Sequence, residues 1–70
     1  MNIRKVQSSN VYAVGYKNGV LVIGFQSGSV YVYRGARPWM YALFFRANSV
    51  GKMFWRFIRT DDTISFVRVL

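Results

Sequence analysis

The sequence predicts an α+β fold: a three-stranded antiparallel β-meander followed by two short helices packed on one face, with an additional C-terminal strand. Three observations predict it. An Asn-Gly pair, Asn18-Gly19, separates two runs rich in β-branched and aromatic residues, 11–16 and 20–25. From Val50 onward the apolar residues Val50, Met53, Phe54, Phe57 and Ile58 fall at i, i+3, i+4, i+7 and i+8, the spacing of one helix face. After a turn over 60–63, residues 64–70 regain the composition of a strand.

The first hairpin follows from the turn chemistry, because both central positions of a type I′ turn need positive φ and Asn-Gly supplies it. A two-residue loop there sets Tyr16 opposite Leu21, Val14 opposite Ile23 and Tyr12 opposite Phe25, with Ala13, Gly15, Val22 and Gly24 on the other face. Residues 30–33 form the third strand after a loop of Gln26, Ser27, Gly28 and Ser29 whose length leaves two registers open. If Phe25 pairs with Val30, Tyr31 and Tyr33 stand over Ala13, Gly15 and Gly24, away from the core, as a stacking platform like those of single-strand binders. A slip of one residue sends both tyrosines into the core and turns Val30 and Val32 outward.

Pro38 suits the first turn of a helix, here 39–46. Asn48 or Ser49 can cap the second helix, whose polar side carries Lys52, Arg56 and Arg59 in one stripe with Trp55 beside it. The last strand reads as a sheet edge.

A chain of 70 residues makes one domain and hides only about 60% of its unfolded surface, so large side chains must build the core. Two tryptophans, five tyrosines and six phenylalanines supply them. Cysteine is absent, which removes disulfides and thiolate metal sites and favours a reducing, cytoplasmic setting. The longest apolar stretches, 38–45 and 20–25, are too short to span a bilayer, and residues 1–7 lack the apolar run of a signal peptide. Ten Lys and Arg against two acidic residues give a net charge of +8, which points to an anionic partner.

Catalytic constellations are missing. Without histidine there is no imidazole base or ligand. Asp61 and Asp62 are adjacent in a turn and suit capping better than flanking a substrate. The six serines have no base partner, and the six glycines form no phosphate-cradling loop ahead of a helix. The expectation is a binding module rather than an enzyme, with no cofactor and no metal. Its candidate site residues are Lys52, Arg56 and Arg59 for phosphate and Trp55 for stacking. Arg34 and Arg37, flanking the glycine turn before the first helix, and the pair Tyr31 and Tyr33 complete the set.

The pattern resembles the KTSC domain family. The resemblance is carried by Ser8-Ser9-Asn10, Val14-Gly15-Tyr16, the alternation of Leu21, Ile23 and Phe25, Gly28, and Tyr31-Val32-Tyr33. It continues through Pro38, Tyr41, Phe44, Ala47, Ser49, Gly51, Phe54, Ile58 and Arg59, covering about residues 6–59. That family is named for its occurrence at the C-terminus of some lysyl-tRNA synthetases and also occurs as free-standing small proteins of bacteria and phages. Its mark is a central Tyr-x-Tyr, and the resemblance implies a role in RNA binding. Three departures stand out: residues 38–47 are one shorter than the family pattern, Trp55 replaces a small polar residue, and residues 60–70 extend past the usual end.

Charge, aromatic content and resemblance together predict a nucleic-acid-binding module, for RNA or single-stranded DNA. Two other functions are compatible with the same features. One is a protein-interaction or inhibitor module, such as a phage-encoded factor on an acidic surface of a host enzyme. The other is an oligomer that holds a small anionic nucleotide. Trp39, Phe45, Trp55 and Phe66 are hard to bury together in so small a core, and the last strand offers an edge, so a homodimer is expected as well.

Overall fold

A computed structural model describes all 70 residues and contains a five-stranded antiparallel sheet in the order β1-β2-β3-β4-β5. The strands are β1 (Ile3–Lys5), β2 (Val11–Lys17), β3 (Val20–Phe25), β4 (Val30–Arg34) and β5 (Ser65–Arg68). Between β4 and β5 lie α1 (Pro38–Leu43) and α2 (Val50–Phe54), which runs on as a π-helical turn (Trp55–Arg59). The α+β class, the meander, the two helices and the last strand agree with the sequence expectation; the sheet has one strand more. β1 escaped prediction because it is three exposed residues, two of them charged, and alternation cannot be read from so short a run.

Asn18 and Gly19 have φ of 49° and 80°, so the first hairpin closes through the expected turn, with Tyr16 opposite Leu21 and Val14 opposite Ile23. Beyond Ala13 the register shifts: Val11, not Tyr12, faces Phe25. The bulge leaves the Tyr12 side chain in solvent and buries Val11. The Ser8 hydroxyl accepts from the backbone N–H groups of Asn10 and Val11 and shapes the entry to this strand.

The second hairpin has a three-residue loop. Phe25 N–H bonds to the Ser29 carbonyl at 2.8 Å, and Gly28, with φ 96°, holds the left-handed position that such a loop requires. Ile23 therefore faces Tyr31 and Leu21 faces Tyr33, on the side of the sheet that carries the helices. This is the second of the two registers. Tyr33 is 2% exposed, so the two tyrosines do not make a platform on an open sheet face.

The core lies between that face and the helices. Val14, Leu21, Ile23 and Tyr33 pack with Met40 and Phe44 from α1 and its following turn, and with Val50, Met53 and Ile58 from α2 and the π turn. Ser49 caps α2, its hydroxyl accepting from the Lys52 N–H. The helix expected over 39–46 ends as α at Leu43; the turn after it tightens to i→i−3 bonds from Phe44, Phe45 and Arg46. Phe57 departs from the expected apolar stripe: the wider π turn breaks the helical spacing after Phe54, buries Ile58 and leaves Phe57 40% exposed. On the opposite side of the sheet Val22, Val32 and Val67 form a row with no helix over it. No helix of the fold is long and apolar enough to cross a membrane.

Candidate functional site

A cleft of about 570 Å³ opens between the start of β2, the loop joining β3 to β4, the strands β4 and β5, and α2 with its π turn. Its volume lies in the range of small-molecule sites. The alternation of β4 brings Tyr31 and Tyr33 to the same side, and the β4–β5 register sets Phe66 directly across from Tyr33. Phe25 and Phe54 complete the wall. Five rings thus touch: Tyr31 stacks on Tyr33 at 6.2 Å, and Phe54 meets both Phe25 and Tyr33 edge-on at 5.8 and 5.6 Å. Phe66 lies 5.6 Å from Tyr33 and 6.2 Å from Tyr31. Each of the five rings packs against at least two of the others.

Trp55 lines the same cleft but stacks on no other ring and is 61% exposed. Arg59 reaches over Phe66, its guanidinium 4.8 Å from the ring centre. Burial pushes the Tyr33 phenol up to about 12, against the opposing pull of the Arg59 charge and with a smaller push from Tyr31. At neutral pH Tyr33 is therefore an uncharged hydroxyl, without a hydrogen-bond partner in the chain and not sealed from the cleft.

A shallower depression of about 800 Å³ adjoins it, lined by Ser49, Lys52, Arg56 and Thr60 and sharing Asn10, Gly51 and Trp55 with the aromatic cleft. The stripe expected on the second helix is thus divided. Lys52 and Arg56 line the outer depression while Arg59 turns inward, because the π turn rotates it off their line. No carboxylate lines either hollow.

Two expected cations lie elsewhere. Arg34 follows Tyr33 and faces the opposite side of the sheet, across from Val20 and Ser65. Arg37 precedes α1 and pairs with Asp61 at 3.4 Å. The Asp61 carboxyl is held below the usual carboxylate range first by the Thr63 hydroxyl and then by the Thr63 N–H, with Arg37 adding to both. That carboxylate shapes a turn, as expected of the adjacent aspartates after the second helix.

Several cleft residues were not singled out from sequence. Asn10 and Gln26 bring carboxamides and Phe25, Phe54 and Phe66 bring rings, while Arg68, opposite Tyr31 on β5, does not line the cleft. The alternation Phe66, Arg68 held the signal for β5, and Gly28 at the third loop position held it for the register. Asn10, Phe25, Tyr31, Tyr33, Gly51, Phe54 and Arg59, all among the residues that carry the family resemblance, meet in this one cleft.

The model of the KTSC domain family matches residues 7–61. No curated protein matches the chain. The matched segment contains β2 to β4, both helices and the π turn, while the edge strands β1 and β5 fall outside it. With most of its length matched, and with the meander and two short helices in place, the chain belongs to the KTSC domain family.

Proposed function

We propose that the chain is a single-strand nucleic-acid-binding module, for RNA or single-stranded DNA, that uses the aromatic cleft for bases and its cationic margin for phosphates. One observation carries this reading: an aromatic cleft with an exposed, unstacked indole is bordered by Lys52, Arg56 and Arg59 and by no carboxylate. Stacking on aromatic side chains contributes about 1–3 kcal/mol per base and tolerates any sequence, and guanidinium groups grip phosphate in two-pronged fashion. Duplex DNA suits the site poorly, because its bases are stacked away from such a wall. A cytoplasmic setting belongs to the same reading. The test is a titration of fluorescent single-stranded oligonucleotides at low and moderate salt. Binding that weakens steeply with salt supports it, and no binding at micromolar protein removes it.

A second reading, a module for an acidic protein surface, is favoured by a separate feature. Trp39 and Phe57 meet edge-on at 6.1 Å, are 47% and 40% exposed, and lie outside the cleft, with the Arg56 guanidinium 5.4 Å from the Phe57 ring. Aromatic and Arg side chains dominate protein interfaces. A pull-down from nuclease-treated lysate separates the two: a partner that survives nuclease favours protein binding. A small anionic nucleotide in the same cleft would show as thermal stabilisation by that nucleotide.

A further inference from the structure

Gly51 stands in the first turn of α2, where glycine costs about 0.5–1 kcal/mol against alanine. Its backbone needs no glycine. A Cβ there would meet a single neighbour, the Asn10 side-chain nitrogen, at 2.9 Å. The missing methyl therefore makes room for the Asn10 carboxamide at the point where the aromatic cleft and the cationic depression join. That carboxamide has no hydrogen-bond partner within the chain.

Gln26 stands beside it and is oriented. Its Nε2 donates to the Ser8 and Val11 carbonyls at 3.2 and 3.4 Å, which leaves Oε1 as its free polar atom. The Gln26 N–H also bonds to the Asn10 carbonyl at 2.8 Å, tying the two residues together. The cleft thus offers one fixed acceptor at Gln26 and an acceptor-donor pair at Asn10.

Resting on the nucleic-acid reading above, we infer that the cleft selects a nucleobase whose pairing edge carries an amino group beside a ring-nitrogen acceptor, adenine or cytosine over uracil, with the fixed Gln26 oxygen making the choice and Asn10 setting the base in register against it. Adenine and cytosine present an amino donor beside a ring-nitrogen acceptor, which matches a carboxamide atom for atom. The second amino hydrogen is then available to Gln26 Oε1. The Asn10 carboxamide, turned over, can also pair with the uracil imide, but uracil then sets its carbonyl against the oriented Gln26 Oε1, and two opposed acceptors leave both unsatisfied.

The test is the affinity of the full chain for RNA hexamers of adenylate, cytidylate and uridylate, repeated with N10A and G51A. A bidentate base contact gives roughly tenfold discrimination or more. The wild type is expected to favour the adenylate and cytidylate hexamers over uridylate by about that factor. Asn10→Ala should bring the three within about twofold, chiefly by weakening adenylate and cytidylate binding. Gly51→Ala keeps the fold, since the methyl need only displace the end of a flexible side chain, and should erase the preference in the same way. Equal wild-type affinities, or a preference that survives both substitutions, overturn the role of Asn10 while leaving nucleic-acid binding intact. Failure of all three hexamers to bind overturns both.

Discussion

The Arg59 guanidinium lies 4.8 Å from the centre of the Phe66 ring, so a cation inside the family-matched segment rests on an aromatic from a strand outside it. The last strand is more than an edge: it supplies one ring of the cleft wall and a seat for the cation at its rim. Phe66 is 46% exposed, so Phe66→Ala should lower stability by only about 1 kcal/mol. It removes both the wall ring and the seat of Arg59, and oligonucleotide affinity should fall several-fold. Chemical denaturation beside a binding titration checks the two effects separately.

The arginines and lysines divide into two groups by position, and salt dependence should divide them in the same way. Replacing Lys52, Arg56 or Arg59 by alanine should each lower the slope of log affinity against log salt by about 0.7, the value for one phosphate contact on a single strand. Arg34→Ala should leave that slope unchanged, since Arg34 faces the far side of the sheet. Arg37→Ala should do the same, at little loss of stability, because its ion pair with Asp61 is exposed.

The register of the second hairpin places Tyr33 where its ionisation opposes folding. Its folded value of about 12 lies above the ordinary 10.0, so the stability it contributes is fully present below pH 10 and is lost as the pH rises toward 12. The loss should amount to about 2 kcal/mol. In Tyr33→Phe that fall should be absent, which denaturation curves collected across this alkaline range will show.

Leu21 is fully buried beneath α1 and α2, at the centre of the core that holds the cleft wall in place. Leu21→Ala should cost about 2–5 kcal/mol, a large part of what a domain of this size has, and thermal melting measures it.

Much of this fold is legible in the sequence, and the illegible parts have local causes. Asn18-Gly19 fixes the first hairpin because its turn type admits few other residues. The bulge at Tyr12 has no such signature; the Ser8 hydroxyl accepts from the backbone just before it, and Gln26, far along the chain, donates to the Val11 carbonyl. The fate of Tyr31 and Tyr33 turned on one residue of loop length, which Gly28 decides only once its left-handed backbone is seen. A stripe read at helical spacing placed Lys52, Arg56 and Arg59 together, and the π turn then moved Arg59 inward and Phe57 out. Asn10 could not be recognised as a cleft residue from its neighbours in sequence, because its companions Gly51 and Gln26 reach it only through the fold.

The claim on which the rest depends is that a negatively charged single strand occupies the aromatic cleft. Chemical-shift mapping of the labelled protein with a short single-stranded RNA tests it most directly. The account predicts saturable shifts concentrated at Asn10, Gln26, Tyr31, Gly51, Trp55 and Arg59, shrinking as salt is raised. Shifts confined to Trp39 and Phe57, or none at all, would contradict it.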